Sequence, residues 1–566
     1  MIQSRLKITE NAVARQTWNR FRNTGFAETD PVIVYPLDRK FMPYTSPHTD
    51  VQIPDVSLPE FVMEDFGDRR DQPALIDGSS GRSLSYGELG GAIHAFAAGL
   101  ASRDFGRGDV FAIYMPNVPE YAIAFFGVSR AGGIVTTLNP LYTADEAAHQ
   151  LKDAGARFLL TVPPFLDKAK QAAKASSVEE VFVLGEPDGA TPFSALMRQD
   201  RDAPDLDLNP AEDLVALPYS SGTTGLPKGV MLTHHNLVAN VTQCVPIEGI
   251  EEGEITVGIL PFYHIYGMTV ILSMALQRGA TVITMPKFEM EDFCELVQNH
   301  KIKSAYLVPP IILGLAKHPM IDDYDLSSLD YITSGAAPLP VSVAENCQDR
   351  LGCMVKQGYG MTETSPVTHL VPRTSTDTPI DSVGHVVPNT EFRIVDVGTS
   401  NDAEPGEKGE LWIRGPQVMK GYLNNESATR DTIDDDGWLH TGDVAIVDED
   451  EYTYIVDRVK ELIKYKGYQV APAELEAVLQ SHEDIADAAV IPSPDEEAGE
   501  VPKAFIVRKQ HARDLTGEAI MKFVAGQVAP YKKVRLVEFV DEIPKTASGK
   551  ILRRDLVKQE REKANA

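Results

Sequence analysis

The stretch from Tyr219 to Gly229 has the residue types and spacing needed to hold a phosphate group. Its sequence is Tyr219-Ser-Ser-Gly-Thr-Thr-Gly-Leu-Pro-Lys-Gly229, with three glycines, four Ser or Thr hydroxyls and one lysine. Glycine lets the backbone turn tightly and bring its N–H groups close to an anion, while the hydroxyls and Lys228 add donors and charge. The G-x-x-x-x-G-K-[ST] spacing of a Walker loop is absent. The combination favours a phosphate-binding loop over an ordinary surface turn.

The helices and strands around this loop are predicted from apolar runs and from the capping residues that bound them. Leu214-Val-Ala-Leu-Pro predicts a buried strand before the loop, and a helix is expected after Thr233. Thr143-Ala-Asp-Glu146 is a capping box that opens a helix over 143–154. Strands are predicted at Val110–Met115, Ile134–Leu138, Arg157–Val162 and Val181–Leu184, and helices at 118–131 and 165–175. This alternation predicts a parallel sheet with helices on its faces.

Three further blocks follow along the chain. A second alternating block spans about 212–370, with strands predicted at Ile259-Leu-Pro, Ala280–Met285, Ser304–Val308 and Tyr331–Ser334. From about 380 to 456, short alternating runs such as Gly409-Glu-Leu-Trp-Ile-Arg predict a small β-rich subdomain. After 460, Pro472 suits the first turn of a helix. Strands are predicted at 487–491, 503–508 and 535–540 and a further helix at 517–527, which together predict a compact α+β unit.

Composition excludes several function classes. At 566 residues the chain is too long for a single core, so two or more domains are expected. The balance of 82 acidic against 53 basic residues gives a net charge of −29, which argues against nucleic acid as a partner. Two explanations of this charge stay open, an ordinary acidic enzyme and adaptation to high salt.

Cysteine usage and hydropathy predict a cytoplasmic protein. Cys244, Cys294, Cys347 and Cys353 are too few and too scattered for a disulfide framework or a zinc site, so buried free thiols are expected. The N-terminus lacks the apolar core of a signal peptide. Polar residues break the most apolar region, so no transmembrane segment is predicted.

Several motifs occur together in one order, and they carry a family resemblance. They are Ser334-Gly-Ala-Ala-Pro-Leu, Gly358-Tyr-Gly-Met-Thr-Glu363, Tyr422-Leu, Gly437-Trp-Leu-His-Thr-Gly-Asp443, Asp457-Arg-Val-Lys-Glu-Leu-Ile-Lys-Tyr-Lys-Gly467 and Pro544-Lys-Thr-Ala-Ser-Gly-Lys550. With the glycine-rich loop, they resemble the adenylate-forming superfamily of acyl-CoA synthetases, firefly luciferase and nonribosomal adenylation domains, over roughly residues 55–556. Leu260-Pro-Phe-Tyr-His-Ile-Tyr-Gly, Met285-Pro-Lys-Phe-Glu and Val308-Pro-Pro are most similar to the branch of 4-coumarate–CoA ligases and fatty acyl-CoA synthetases.

The resemblance implies a two-step reaction and a two-domain enzyme. A carboxylate attacks the α-phosphorus of Mg·ATP to give acyl-AMP and pyrophosphate, and the thiol of coenzyme A then displaces AMP. The small C-terminal domain rotates between the steps. The expected layout is an N-terminal extension at 1–55, an AMP-binding domain at 56–456 made of two parallel α/β subdomains and a β-rich subdomain, and a mobile α+β domain at 457–566. The small-molecule acid, ATP, Mg²⁺ and coenzyme A are the expected ligands, and the protein is expected to be a monomer or homodimer.

The resemblance also implies roles for individual residues of the nucleotide site. The phosphate cradle comprises Ser220, Ser221, Gly222, Thr223, Thr224, Gly225 and Lys228. Adenine is expected against Gly335, Ala336, Ala337, Gly358, Tyr359 and Gly360, with Tyr359 stacking on it. Thr362 is expected at the α-phosphate and Glu363 at Mg²⁺, which needs hard oxygen ligands. Asp443 and Arg458 match the pair of family residues that binds the ribose hydroxyls. Lys460 matches the family's hinge position and is also expected among the nucleotide-binding residues.

Two faces of the C-terminal domain are expected to serve the two steps. Lys550 is the main catalytic candidate, since its family counterpart bridges the substrate carboxylate and the α-phosphate where charge builds up. Lys464, the second catalytic candidate, is expected to contact AMP from the other face. Lys466, Gly467 and Lys287 are expected to contact coenzyme A.

The acyl pocket is expected at His264, Tyr266, Val270 and Thr333. Thr333 stands where hydroxycinnamate ligases carry a lysine, and Val270 replaces a small polar residue there, so a dry pocket and a medium- or long-chain fatty acid are predicted. An aryl or 4-coumarate-type acid and transfer to a carrier protein are the alternatives. A luciferase-like oxygenase and a non-enzymatic nucleotide-binding module are less consistent with the motifs, the latter because Lys550 and Glu363 are intact.

Overall fold

The structure is a computed structural model that describes residues 43–564 apart from 187, 199, 221–226, 398, 400, 467, 496–497 and 547–548. The described residues from Pro43 onwards form one compact unit. Within them, no helix combines the length and the apolar character that a bilayer crossing requires. The four cysteines are free and buried, as predicted.

The first sheet holds the strands on either side of the glycine-rich loop. In the described residues it has eight strands. In spatial order they are Gly421–Tyr422, Lys228–Thr233, Leu214–Ser220, Ile134–Thr137, Val110–Tyr114, Ala156–Thr161, Glu180–Val183 and Thr191–Pro192. The six strands from Leu214–Ser220 onward pair in parallel, whereas the first two pair antiparallel.

The second sheet carries the other motifs at the ends of its strands. Nine strands of the described chain form it. In spatial order they are His385–Val386, Val367–Leu370, Met354–Gly360, Tyr331–Ser334, Ser304–Leu307, Ile255–Gly258, Thr281–Thr284, Pro73–Asp77 and Ser83–Ser85. The central six pair in parallel, so their carboxyl ends meet at one edge, where ligands bind in open α/β sheets.

Helices cover both sheets, and helices Pro119–Arg130 and His234–Glu248 each contact strands of both. In the large domain they are Leu58–Met63, Tyr86–Ala101, Pro119–Arg130, Ala144–Ala154, Leu166–Lys174, His234–Glu248, the π-helix Tyr266–Ser273, Met274–Gln277, Met290–His300, Pro309–Lys317, Val341–Leu351 and Glu426–Thr432. Short 3₁₀ turns lie at Pro163–Phe165, Phe193–Leu196, Pro319–Asp323 and Thr362–Thr364. Helix Pro119–Arg130 contacts strands of both sheets and is buried almost all round, as its apolar sequence requires.

A third, antiparallel sheet links the large domain to the C-terminal region. Its described strands are Tyr44–Thr45, Glu391–Val395, Gly409–Arg414, Leu439–Val447 and Thr453–Arg458. The C-terminal sheet contains Tyr468–Val470, Ile463–Tyr465, Gly499–Arg508, Ile485–Asp495 and Leu536–Phe539. Helices Pro472–Gln480, Gly517–Ala525 and Arg553–Ala564 and the 3₁₀ turn Pro530–Lys532 complete that domain.

The observed architecture confirms the predicted fold class, with two α/β sheets, a β-rich subdomain and a small α+β domain. The predicted capping box forms, because the Glu146 backbone N–H donates to Thr143 Oγ1 and the Glu146 carboxylate accepts from the Thr143 backbone. The extent of the N-terminal extension and the position of the domain boundary stay predictions, and residues 1–42 lie outside the described residues. Strand Thr453–Arg458 continues the third sheet two residues past the predicted boundary.

The strand predicted at Ile259-Leu-Pro lies four residues earlier, at Ile255–Gly258. Asn117 explains where it ends. Its Nδ2 donates to the carbonyls of Gly258 and Leu260, each at 2.8 Å, and its Oδ1 accepts from the Phe262 N–H at 2.8 Å. This side chain thus binds the backbone of the segment that follows the strand, and the Gly258 carbonyl also accepts from the Met285 N–H at 3.2 Å.

Candidate active site

The ends of the glycine-rich loop are held together by sheet pairing. Ser220 and Lys228 are register partners on antiparallel strands, so the loop connects the two strands of a hairpin. Ser221, Gly222, Thr223, Thr224 and Gly225 lie outside the described residues, and their predicted phosphate contacts stay predictions. The hairpin brings the hydroxyl of Ser220 and the ammonium of Lys228 to the same end of the first sheet.

Glu363 accepts hydrogen bonds from Ser220, just before the loop, and from Tyr422, on the strand that pairs with Lys228–Thr233 in the same sheet. The Ser220 hydroxyl and the Tyr422 hydroxyl each donate to Glu363 Oε1 at 2.8 Å. Lys228 Nζ lies 3.9 Å from the centre of the Tyr422 ring. Glu363 is buried, and Thr362 is next to it in the same short 3₁₀ turn. Tyr422, which belonged to a motif without an assigned role, therefore ties the predicted metal ligand to the predicted phosphate ligands.

The nucleotide-binding motifs lie at the carboxyl ends of two neighbouring parallel strands. Gly335, Ala336 and Ala337 follow strand Tyr331–Ser334, and Gly358, Tyr359 and Gly360 end strand Met354–Gly360. A side chain at Gly335 would come within 2.6 Å of the Tyr266 ring, and one at Gly360 within 2.1 Å of the Pro366 carbonyl oxygen. These two positions require glycine because other parts of the chain pack directly against them.

Tyr359, Asp443 and Arg458 form one connected group. Asp443 and Arg458 are register partners on adjacent strands. Arg458 Nε lies 3.1 Å from Asp443 Oδ1, and the Tyr359 hydroxyl donates to Asp443 Oδ2 at 2.6 Å. Burial raises the pKa of Asp443, while the Arg458 guanidinium opposes that rise. The contacts with Arg458 and Tyr359 orient the Asp443 carboxylate beside the Tyr359 ring, which is predicted to stack on adenine.

Lys550 reaches this group from the C-terminal domain. Its neighbour Gly549 packs on the large domain, where an added side chain would lie 3.0 Å from Pro310. Burial lowers the pKa of Lys550 to about 8, the positive charge of Arg458 adds to the effect, and the carboxylates of Glu461, Asp443 and Glu363 oppose it. The structure therefore brings together the residues predicted to be the catalytic lysine, the ribose pair and the metal ligand.

The other predicted C-terminal lysines have different surroundings. Lys460, Lys464 and Lys466 are exposed, and Lys460 lies between the last strand of the third sheet and the first strand of the C-terminal sheet. The Lys464 backbone N–H donates to Glu500 at 2.8 Å. Lys287 is exposed on the large domain and pairs with Glu289. Gly467 lies outside the described residues. The hinge, AMP and coenzyme A roles stay predictions.

One pocket contains all four residues of the predicted acyl site. The lining includes His264, Tyr266, Val270 and Thr333, together with Gly335, Ala336, Gly358, Tyr359 and Gly360 of the predicted nucleotide site. Its empty volume is about 550 Å³, open mouth included. The Tyr266 hydroxyl donates to the Thr333 carbonyl at 3.2 Å. Burial lowers the pKa of His264 to about 4, and the charge of Lys550 adds to this, so His264 is neutral at pH 7.

Sequence reasoning missed the charged end of this pocket. Glu248 lines the pocket beside Cys244 and Met274, and its side chain is 1% exposed. Lys356 Nζ, equally buried, donates to Glu248 Oε2 at 3.1 Å, and the Tyr306 hydroxyl lies 3.4 Å from the same oxygen. The signal in the sequence was a glutamate at the end of an apolar helix and a lysine inside an apolar strand. The pairing joins residues 108 positions apart and is visible only in the fold.

Comparison with known proteins identifies the family. Residues 64–423 match the model of the AMP-binding enzyme family, and residues 474–550 match that of the AMP-binding enzyme C-terminal domain. The chain belongs to the AMP-binding enzyme family. It is 44% identical over 520 residues to 4-coumarate–CoA ligase 5 of Oryza sativa subsp. japonica, covering 90% of this chain and 95% of that protein. It is 42% identical to 4-coumarate–CoA ligase 1 of Solanum tuberosum, with 89% and 95% coverage.

Solved structures of this family have the same fold. ATP-bound MatB from Rhodopseudomonas palustris gives a TM-score of 0.80 at 27% identity, with 89% of this chain and 99% of that chain covered. The anthranilate CoA ligase AuaEII in complex with anthranoyl-AMP gives 0.83 at 25% identity, with 91% and 99% covered. The chain is thus an AMP-forming acid–thiol ligase that uses ATP, Mg²⁺ and coenzyme A.

Proposed function

We propose that this ligase activates an aromatic acid of the 4-coumarate type. The observation that carries the proposal is the buried carboxylate of Glu248, which lines the pocket and is paired with Lys356 behind it. An apolar chain that reaches Glu248 would pack against a buried carboxylate without giving it a hydrogen bond, which is unfavourable. The pair therefore favours a substrate whose distal end is polar.

The depth of the pocket supports the same conclusion. Lys356, which holds Glu248, and Gly360, at the proposed nucleotide end, belong to one strand, and strands rise by about 3.3 Å per residue, so their backbones lie roughly 13 Å apart. A phenyl ring with a propenoate side chain suits a pocket of this depth, whereas a long fatty acyl chain would have to bend past the charged pair. Relatives named 4-coumarate–CoA ligases point in the same direction. Both observations support the aryl alternative better than the fatty acyl hypothesis.

In the proposed mechanism, this chain's residues orient the acid and ATP for attack and stabilise the charge that develops. The carboxylate oxygen attacks the α-phosphorus and pyrophosphate leaves, after which the thiol of coenzyme A attacks the acyl carbonyl carbon and AMP leaves. Lys550 supplies a preorganised positive charge in the first step. Asp443 accepts hydrogen bonds from the ribose hydroxyls. Glu363 offers the hard carboxylate oxygen that Mg²⁺ prefers, and Mg²⁺ neutralises phosphate charge when bound.

A substrate panel tests the proposal. We expect kcat/KM for 4-coumarate to exceed that for every saturated acid from hexanoate to octadecanoate by at least tenfold, measured as coenzyme A-dependent AMP release. Release without coenzyme A serves as the control for adenylate hydrolysis. A saturated acid with a higher kcat/KM than 4-coumarate would overturn the aryl assignment and leave the ligase chemistry intact.

A further inference from the structure

The buried carboxylate at the end of the pocket has one oxygen without a partner. Glu248 Oε2 accepts from Lys356, but Glu248 Oε1 is buried and has no hydrogen-bond partner among the described residues. Buried carboxylate oxygens without donors are rare, because each one loses its hydration and receives nothing in return. Thr333 Oγ1, on the wall of the same pocket, is a second buried oxygen without a partner in the described chain.

The surroundings hold this carboxylate in place rather than satisfy it. Lys356 also donates to the Val371 carbonyl at 3.0 Å and lies 5.0 Å from the centre of the Tyr331 ring. Cys244 and Met274 contribute apolar surface beside Glu248. Because Lys356 fixes Oε2, the carboxylate is restrained, and Glu248 is one of the residues that line a pocket whose other walls are mainly apolar.

We propose that Glu248 Oε1 accepts a hydrogen bond from a hydroxyl or amino group at the end of the substrate distal to its carboxylate, and so selects acids that carry such a donor. This inference rests on the proposed aromatic substrate and adds the group that the pocket recognises. A phenolic hydroxyl para to the propenoate is the donor that fits an aryl-propenoic acid. A hydrogen bond to a buried charged acceptor discriminates strongly against an analogue without the donor, since the carboxylate oxygen is then left unpaired.

A second buried carboxylate provides a matched control. Glu254 belongs to the same polar cluster, but both of its oxygens have partners, Tyr331 at 3.4 Å on Oε1 and Arg373 at 2.9 Å on Oε2. It is not among the residues that line the pocket. Glu254→Gln therefore changes a buried charge of the same kind without removing the proposed acceptor.

The experiment compares kcat/KM for 4-coumarate, 4-aminocinnamate, cinnamate and 4-methoxycinnamate. In the wild type we expect the two donor-bearing acids to exceed the other two by about 10- to 100-fold. Glu248→Gln, which weakens the acceptor, is expected to reduce this ratio at least fivefold, whereas Glu254→Gln is expected to leave it unchanged. An unchanged ratio in Glu248→Gln, or a wild-type ratio near one, would overturn the inference.

A second variant covers the case in which Glu248→Gln leaves Lys356 unpaired and the protein does not fold. Replacing both partners by apolar residues removes the buried charges together and is far less disruptive than removing one. Glu248→Met/Lys356→Met is expected to prefer cinnamate over 4-coumarate, and retention of the wild-type order would overturn the inference. The proposed aromatic function has its own test: a saturated fatty acid with a higher kcat/KM than all four aryl acids in the wild type would contradict it.

Discussion

Two lysine-bearing turns of the C-terminal domain have opposite surroundings. Lys550 is partly buried, next to a glycine that packs on the large domain, and interacts electrostatically with Asp443, Arg458 and Glu363. Lys464 and Lys466 are exposed on a different turn of the same domain. The residue type is the same, so the surroundings decide what each lysine is able to do. We propose that the turn with Lys550 serves the adenylation step and that the exposed turn serves the second step.

The largest expected effect comes from removing the partly buried charge of Lys550. Lys550→Ala should slow ATP–pyrophosphate exchange by about 10²–10³, because a preorganised charge at the reacting phosphate is lost. Lys545→Ala is the matched control, since Lys545 lies in the same segment but pairs with Asp487 of the C-terminal domain at 2.7 Å. If the two variants lose similar activity, the segment matters for folding and not for its charge at the phosphate.

A charge reversal on the exposed turn should have a smaller and different effect. Lys466→Glu is expected to raise the apparent KM for coenzyme A about tenfold, equivalent to about 1.4 kcal/mol, because a cation that meets the phosphates of coenzyme A becomes an anion. Pyrophosphate exchange should be unaffected. An unchanged KM for coenzyme A, with the overall rate retained, would break the proposed division between the turns.

The pH dependence of exchange should report the buried lysine. The pKa of Lys550 is lowered to about 8, so the side chain is charged below that pH and neutral above it. Exchange is therefore expected to fall about tenfold between pH 7 and pH 9, with an apparent pKa near 8. In Lys550→Arg the slower exchange should lose this alkaline limb, since arginine stays charged. A flat wild-type profile through this range would contradict the assigned role of the charge.

Added salt should affect the KM for coenzyme A more than the KM for the acid, by a smaller factor than the substitutions do. Exposed charges are screened over a Debye length of about 8 Å at physiological ionic strength, whereas buried charges are screened much less. The apparent KM for coenzyme A should therefore rise between dilute buffer and 0.5 M KCl more than the KM for the acid does. Equal increases in both constants would show that exposure does not distinguish the turns.

Much of the fold could be predicted because apolar runs and glycine motifs act locally. Strand Tyr331–Ser334 was predicted to the residue, and the Gly335 and Gly360 positions lie at strand ends, as the motifs require. The end of strand Ile255–Gly258 could not be predicted, since Asn117 ends it from a distant part of the chain.

The character of the pocket was only partly predictable for the same reason. Val270 and Thr333 line the pocket and their acyl role stays a prediction, but the expectation of an apolar pocket did not include the charge of Glu248. Glu248 and Lys356 look like isolated charges in apolar segments, and nothing local shows that they meet. Long-range pairs of this kind decide substrate chemistry, and they become visible only when the helix that ends at Glu248 packs on the sheet.

Single-turnover thioester formation from a supplied acyl-AMP tests the division between the two turns most directly. With the chemical adenylation step bypassed, Lys550→Ala should form the thioester at a rate near that of the wild type, because its charge serves only the first step. Lys466→Glu should be slow at low coenzyme A in the same assay. Equal losses in both variants, or a loss confined to Lys550→Ala, would contradict the account.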